Sequence, residues 1–279
     1  MDPKNILLAH PQLLQKKLAA FDHNNFHVVS DFDRTLTTAF TNGKRFLSSY
    51  ALIREGKYLI PDYPARAHAL FDHYHPYEIA ETISSQERNR KMQEWWQAHF
   101  ELLKECGMNR GVLQDIVQSR QVQFRMGALS FLDTLAQHQV PVLIFSAGIG
   151  DLITELLRVE RKLTPNLHII SNFYTFDQQG MITGEQLHFI HSFNKNEVEI
   201  KHTPYYAKIS SRRNVILLGD SLGDTGMLEG VDHDTIIKIG FLNENKEQFR
   251  QKYQEEFDVV ITDDGSMEYV NQLLKKIVD

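Results

Sequence analysis

Two aspartates one residue apart, Asp31 and Asp33, follow directly on the run His27-Val28-Val29-Ser30, with Thr35 and Thr37 just behind them. A short β-branched run that stops at turn residues predicts a buried strand, and open α/β sheets bind ligands beyond the carboxyl ends of their strands. One carboxylate placed there can attack a phosphorus atom while the other moves a proton. Three more polar stretches follow predicted strands: Ser146-Ala147-Gly148, Lys195 within His191-Ser-Phe-Asn-Lys195, and Gly219-Asp220-Ser-Leu-Gly-Asp224. The strands of a parallel sheet end on one edge, so these residues are expected to converge.

The set suits phosphoryl transfer. A phosphomonoester is dianionic and resists an anionic nucleophile, so the chemistry asks for Mg²⁺ and hard oxygen ligands. Asp31, Asp220 and the backbone carbonyl of Asp33 are the candidate ligands. Asp31 is the candidate nucleophile, forming an aspartyl-phosphate, and Asp33 the group that protonates the leaving alcohol and then activates water. Ser146 and the amides of Ala147 and Gly148 are expected at a helix N-terminus, where phosphate oxygens bind. Lys195 would add positive charge at the same oxygens, with Asp224 orienting Lys195 or a metal-bound water. Taken singly, Asp-x-Asp is a common surface turn, Ser-Ala-Gly a common cap, and a lone lysine usually solvated. Four such pieces in this order, each after a predicted strand, carry the reading together.

The elements needed to position them can be read from periodicity. Residues 11–21 predict an N-terminal helix begun by Pro11. Residues 46–126 lack a buried strand and show four helical patterns: Phe46–Glu55, Pro64–Tyr74, Glu87–Cys106 and Arg110–Ser119. They predict a helical insertion bounded by Gly43-Lys44-Arg45 and Arg125-Met126-Gly127, so that 1–45 and 127–279 form the core. From Gly127 onward helices and strands alternate as in a parallel α/β sheet, with a hairpin-like excursion over 173–195. His73 and His75 lie two apart on a predicted helix and point away from each other, which argues against a metal pair.

Composition sets limits. The chain has 279 residues, 42% hydrophobic and 24% charged, enough for one sizeable core or a core with an insertion. A formal charge of −6 argues against binding nucleic acid polymers or anionic membrane, though not against a local basic pocket. The single Cys106 cannot form an internal disulfide and reads as a packing residue at a helix end, which fits a reducing compartment. No apolar run of about 18 residues predicts a membrane span, and no secretory signal is expected. A cytoplasmic monomer is the expectation.

The four motifs resemble those of the haloacid dehalogenase-like phosphatase superfamily: Asp31-Phe-Asp33-Arg-Thr35-Leu-Thr37 its first, Ser146 its second, Lys195 its third, and Gly219-Asp220-Ser-Leu-Gly-Asp224 its fourth. Phe145-Ser146-Ala-Gly-Ile-Gly-Asp151, Ile190-His-Ser-Phe-Asn-Lys195 and Ile237-Lys-Ile-Gly-Phe-Leu-Asn243 resemble more narrowly the cytosolic pyrimidine 5′-nucleotidases, a family with a branch acting on 7-methylguanosine monophosphate. The resemblance implies a Rossmann-like core, an aspartyl-phosphate mechanism with Mg²⁺, a nucleoside monophosphate substrate, and a helical cap over the active site. Tyr77-Glu78-Ile79 resembles the cap segment whose glutamate contacts the base, and Glu94-Trp95-Trp96 a second segment near it. His99 stands where the family often has a small polar residue. Glu78, Trp95 and His99 are therefore the expected base-side residues, although Trp95, Trp96, Phe100 and Leu103 also fit the buried face of a helix. Pyrimidine nucleotides are the favoured substrates, with 7-methylguanosine monophosphate or another small phosphomonoester as the alternatives. Transfer of phosphate to a nucleoside, and a catalytically silent binder, would use much of the same scaffold.

Overall fold

The computed structural model describes residues 5–41, 43–46, 48–80, 82–185, 189–195, 203 and 205–278. In chain order the elements are β1 (Ile6–Leu8), α1 (Pro11–Ala20), β2 (Phe26–Ser30), a small hairpin of β3 (Phe40–Thr41) and β4 (Lys44–Arg45), and four helices, α2 (Ser49–Glu55), α3 (Tyr63–Ile79), α4 (Ser85–Glu105) and α5 (Arg110–Gln118). There follow α6 (Ala128–Gln137), β5 (Val142–Ile149), α7 (Gly150–Val159), β6 (Leu167–Asn172), and a hairpin of β7 (Tyr174–Phe176) and β8 (Ile182–Glu185). The chain continues with α8 (Tyr206–Ile209), β9 (Asn214–Gly219), a 3₁₀ turn Leu222–Leu228, β10 (Thr235–Leu242), α9 (Lys246–Glu256), β11 (Val259–Thr262) and α10 (Glu268–Val278).

Seven strands form one sheet in the order β1-β11-β10-β9-β2-β5-β6, parallel except for β1, which runs antiparallel on β11. The central strands are apolar on both sides, as strands covered on both faces must be. Ile216 and Leu218 of β9 join one hydrophobic cluster, and Val215 and Leu217 join another. From β2 the chain builds outward to β5 and β6 on one side, then returns to build β9, β10 and β11 on the other. The direction of winding reverses around β2. A crevice opens at such a reversal, beyond the carboxyl end of the strand, and Asp31 is the first residue past it.

The helical segment α2–α5 gives no strand to the sheet. Three of its four helices start on side-chain caps: Ser48 Oγ accepts from the Ala51 amide, Ser84 Oγ from Glu87, and Asn109 Oδ1 from Gly111 and Val112. Helix α3 continues past the expected end at Tyr74 to Ile79, carrying Pro76 and placing Glu78 in its last turn. Strand β1 was not expected, because three residues are too few to show a period. Of the expected 173–195 excursion, residues 186–188 lie outside the described set.

The two ends of this helical segment run side by side. Thr38 N donates to Gln123 O (2.9 Å) and Arg125 N to Leu36 O (2.8 Å). Asp264 accepts from the amides of Ala39 (2.8 Å) and Phe40 (3.0 Å) and pairs with Arg125 Nη1 at 2.9 Å. Arg125 is 1% exposed and donates to the carbonyls of Thr35 (2.8 Å), Arg34 (2.5 Å) and Gly265 (2.7 Å). It was foreseen only as a boundary residue. Arg125→Met removes the cation that pairs with Asp264 and the donor to the carbonyls of Thr35 and Gly265. It is expected to lower the unfolding free energy by about 3–5 kcal/mol, measured by urea denaturation against the wild type.

Candidate active site

Asp31 extends the β2–β9 ladder by one bond, its amide donating to Leu218 O at 2.9 Å, so its position follows from strand pairing. Lys195 Nζ lies 2.8 Å from Asp31 Oδ1 and 2.8 Å from Asp224 Oδ1, and all three side chains are buried. Asp224 is fixed in turn by its other oxygen, which accepts from Asp220 N (3.1 Å), Ser221 N (2.9 Å) and Ser221 Oγ (2.9 Å). Gly219 permits this: a Cβ there would stand 2.4 Å from the Asp224 Cβ. Asp224 therefore organises the β9 turn and holds Lys195 by hydrogen bond.

The segment 189–195 that carries Lys195 is tied down on both sides. On the core side, Asn172 Nδ2 donates to Ile190 O (3.0 Å) and its Oδ1 accepts from Ile190 N (2.8 Å). From α4, Gln93 Nε2 reaches Phe189 O (2.9 Å) and Trp96 Nε1 reaches Ile190 O (2.6 Å). From α3, Glu78 Oε1 accepts from Ser192 Oγ at 3.0 Å.

Ser146 lies beside the site but not at a helix N-terminus. Strand β5 runs on to Ile149 through an irregular stretch after Phe145, and α7 begins only at Gly150. Side chains from β6 hold this backbone extended, Asn172 Nδ2 donating to Ala147 O (2.8 Å) and Ser171 Oγ to Gly148 O (2.9 Å). A Ser-Ala-Gly string carries no sign of such cross-strand partners. Gly148 N donates to Ser146 Oγ (3.0 Å), and a Cβ on Gly148 would fall 3.4 Å from Asp33 Oδ2, so this glycine lets the second motif close on the first. Ser49 N, the first residue of α2, donates to Asp33 Oδ2 at 3.3 Å.

Electrostatics separate the carboxylates. Burial and the neighbouring Asp31 push Asp33 up to about 7, so it can hold a proton near neutrality. Burial raises Asp31 to about 6 against the pull of Lys195. Burial works against the Lys195 ammonium, but Asp224 and Asp31 more than offset it and keep the lysine charged. Asp220 is pushed well above the ordinary carboxylate range by burial and by the charges of Asp31 and Asp224. Oxygens of Asp31, Asp220 and Asp224 lie within 4.8 Å of one another. A cluster of hard oxygens with unbalanced negative charge fits a divalent cation. Asp31 and Asp220 are the members free of the bonds that occupy Asp224, apart from Asp31's pairing with Lys195.

Three residues here were not foreseen. Arg34 adopts a left-handed backbone (φ 64), anchored by its amide on Thr37 Oγ1 (2.7 Å), and its guanidinium pairs with Glu244 and lies 3.8 Å from Asp220. Ser49 and Arg54 belong to α2, where nothing local in sequence reveals what they face.

A cavity of about 340 Å³ leads from this cluster to a wall made by the helical segment. Asp31, Asp33, Ser146, Ala147, Gly148, Lys195, Asp220 and Asp224 line one end, and Glu78, Trp95 and His99 also reach it. Trp95 is at the same time packed into the segment, stacked on Tyr74 (centroids 6.1 Å apart) and edge-on to Phe71 (5.9 Å). His99 shares a 2.9 Å hydrogen bond with the Tyr63 hydroxyl and packs on Tyr50. Burial, with the charge of Arg54 adding, lowers His99 to about 4. An unfolded histidine takes up its proton near pH 6.5, before the folded one does. The stability that neutral His99 contributes is therefore complete above pH 6.5 and lost as pH falls toward 4. The unfolding free energy of wild type minus that of His99→Gln is expected to drop over that window, by at most about 1.4 kcal/mol per pH unit. Equilibrium denaturation of both proteins at pH 7 and pH 4.5 measures it.

Comparison with known proteins agrees with this geometry. The model of the pyrimidine 5′-nucleotidase (UMPH-1) family matches residues 34–278. The 7-methylguanosine phosphate-specific 5′-nucleotidase of Homo sapiens is 35% identical over 277 residues, spanning 98% of this chain and 92% of the relative. A putative cytosolic 5′-nucleotidase 3 of Caenorhabditis elegans is 32% identical over 286 residues, spanning 99% of this chain and 75% of the relative. The crystal structure of cytosolic 5′-nucleotidase IIIB bound to cytidine superposes with a TM-score of 0.88 at 31% identity, covering 99% of this chain and 94% of that one. Apo phosphoserine phosphatase shares the fold, with a TM-score of 0.52 at 13% identity, 89% of this chain and 98% of that one. With the motifs of a haloacid dehalogenase-like phosphatase set around one crevice, the chain belongs to the pyrimidine 5′-nucleotidase family and is an enzyme of the 5′-nucleotidase type.

Proposed function

We propose that the protein hydrolyses nucleoside 5′-monophosphates, pyrimidine nucleotides favoured, to nucleoside and phosphate by a Mg²⁺-dependent reaction on Asp31. The observation that carries this reading is a single cavity lined by Asp31, Asp33, Lys195 and Asp220 at one end and by aromatic side chains at the other. Phosphate, sugar and base need such a sequence of environments, and the volume of about 340 Å³ suits a small ligand. Residues 46–126 act as the cap over it, and Glu78, Trp95 and His99 form its base side. A cytosolic setting belongs to the same proposal, supported by the names of the relatives.

Lys195 keeps Asp31 ionised and fixes its orientation through the 2.8 Å bond to Oδ1. Asp31 attacks phosphorus, forming a P–O bond to its own carboxylate as the bond to the nucleoside 5′-oxygen breaks. Asp33 carries a proton near neutral pH and gives it to that leaving oxygen. It then takes a proton from the water that attacks the acyl phosphate, restoring Asp31 and releasing phosphate. Lys195 and Ser146 hold the phosphoryl oxygens. Mg²⁺, held by Asp31, Asp220 and the backbone carbonyl of Asp33, would supply the charge that lets a dianion accept an anionic nucleophile.

A second reading, preference for 7-methylguanosine monophosphate, is favoured by the vertebrate relatives at 34–35% identity that are named for that substrate.

Phosphate release from UMP, CMP, AMP, GMP and 7-methyl-GMP, with and without Mg²⁺, tests the proposal. The expected result is Mg²⁺-dependent release, fastest for the pyrimidine nucleotides; no release from any of the five would remove the reading. Asp31→Asn is expected to abolish turnover while keeping a cooperative thermal transition. Asp33→Asn is expected to lower kcat by about 10²–10⁴-fold, the usual weight of a general acid.

A further inference from the structure

Away from the aspartates, the cavity wall includes a cation as well as rings. Arg54 lies in the last turn of α2, its side chain only 17% exposed, with the guanidinium carbon 4.5 Å above the centre of the Phe71 ring. Phe71 packs edge-on to Trp95, and both line the cavity together with Arg54, Tyr50 and His99. Among the described residues the carboxylate that pairs with Arg54 is Glu55, at 3.2 Å on Nε. Glu55 is 43% exposed and also meets His68 at 3.4 Å, so its charge is largely dissipated in solvent. The other acid on this side, Glu78, comes from the last turn of α3 and accepts a hydrogen bond from the Ser192 hydroxyl, which leaves its charge in place at the cavity wall, whereas Arg54 stands directly on the Phe71 ring. His99 nearby is held neutral, burial being the main cause and the Arg54 charge the second.

A fixed guanidinium among aromatic faces acts differently on different bases. Its donors suit a carbonyl oxygen, which uracil, cytosine and guanine all present. A base that is itself positively charged gains from aromatic faces, but here one face already bears a cation, and like charges in a water-poor pocket repel strongly. We propose that Arg54 is a specificity-determining residue that favours uncharged bases over positively charged, N7-alkylated purines. The inference rests on the nucleotidase reading above and narrows its substrate class.

GMP and 7-methyl-GMP form the decisive pair, because one methyl group converts a neutral base into a cation. The measurement is kcat/KM for both, with CMP as reference, in wild type, Arg54→Met, Arg54→Gln and Arg54→Lys, each first shown to unfold cooperatively. In parallel, calorimetry gives the affinities of guanosine and 7-methylguanosine for the same four proteins. Arg54→Met and Arg54→Gln are expected to raise the ratio of 7-methyl-GMP to GMP at least tenfold, while Arg54→Lys keeps it within threefold of wild type. An unmoved ratio in both neutral variants overturns the proposal, and so does an equal shift in Arg54→Lys, which would mean that shape rather than charge decides. Either neutral variant alone suffices if the other does not fold. If wild type releases no phosphate from any nucleotide, the nucleotidase reading falls while the nucleoside affinities still judge Arg54. No binding of either nucleoside would overturn both.

Discussion

Negative charge is concentrated where the sheet reverses its winding, and one lysine keeps that concentration in order. Asp31, Asp33, Asp220 and Asp224 all fall in the loops after β2 and β9, adjacent strands of the sheet. Lys195 bridges Asp31 and Asp224 at 2.8 Å each. Removing ions from water is costly, and a buried pair repays that cost only with good geometry and further hydrogen bonds. Both are present: Asp224 takes three more bonds from the turn it caps, and Asp31 stands on the strand ladder. Burial, with the neighbouring negative charge adding, raises Asp220 and Asp33, and groups so perturbed suit a cation site and a store for a proton.

A second buried pair ties this centre to the helical segment. Arg125 donates to the carbonyls of Arg34 and Thr35, directly after the two aspartates, and shares Asn243 with Arg34 O. Its partner Asp264 holds the amides at which the chain leaves for the helical segment, and Arg125 itself stands where the chain returns. The backbone just after Asp31 and Asp33 and the two crossings to α2–α5 thus share one set of bonds. The Lys195 segment shows the same arrangement from the other side, held by Asn172 of the sheet and by Gln93, Trp96 and Glu78 of the helices. A displacement of the helices would be felt by both Asp33, through Ser49, and Lys195.

The aromatic side chains of the helical segment have two duties that need not compete. Trp95 is stacked within the segment and still presents surface to the cavity, because a large ring can pack on one face and line a space with another edge. Its spacing fits a packing residue, and the structure packs it while leaving part of it on the cavity wall.

The alternation of helices and strands, the parallel sheet, the helical insertion and the four chemical motifs were all legible in the linear chain, because each depends on short-range periodicity or on turn residues next to a strand. Asp31, Asp33, Asp220 and Asp224 could be placed for the same reason, because they follow the ends of the parallel strands β2 and β9, whereas Lys195, expected after a strand, stands on an irregular segment held by side chains distant in sequence. What the chain alone did not disclose is everything set by partners distant in sequence. Ser146 lies on extended backbone because Ser171 and Asn172 hold it there. Arg125 is buried because carbonyls from Arg34, Thr35 and Gly265 surround it. Arg54 faces the cavity because α2 packs where it does, and an arginine at the end of a short helix gives no sign of that. Periodicity says which face of an element is buried, and only the packing of elements says against what.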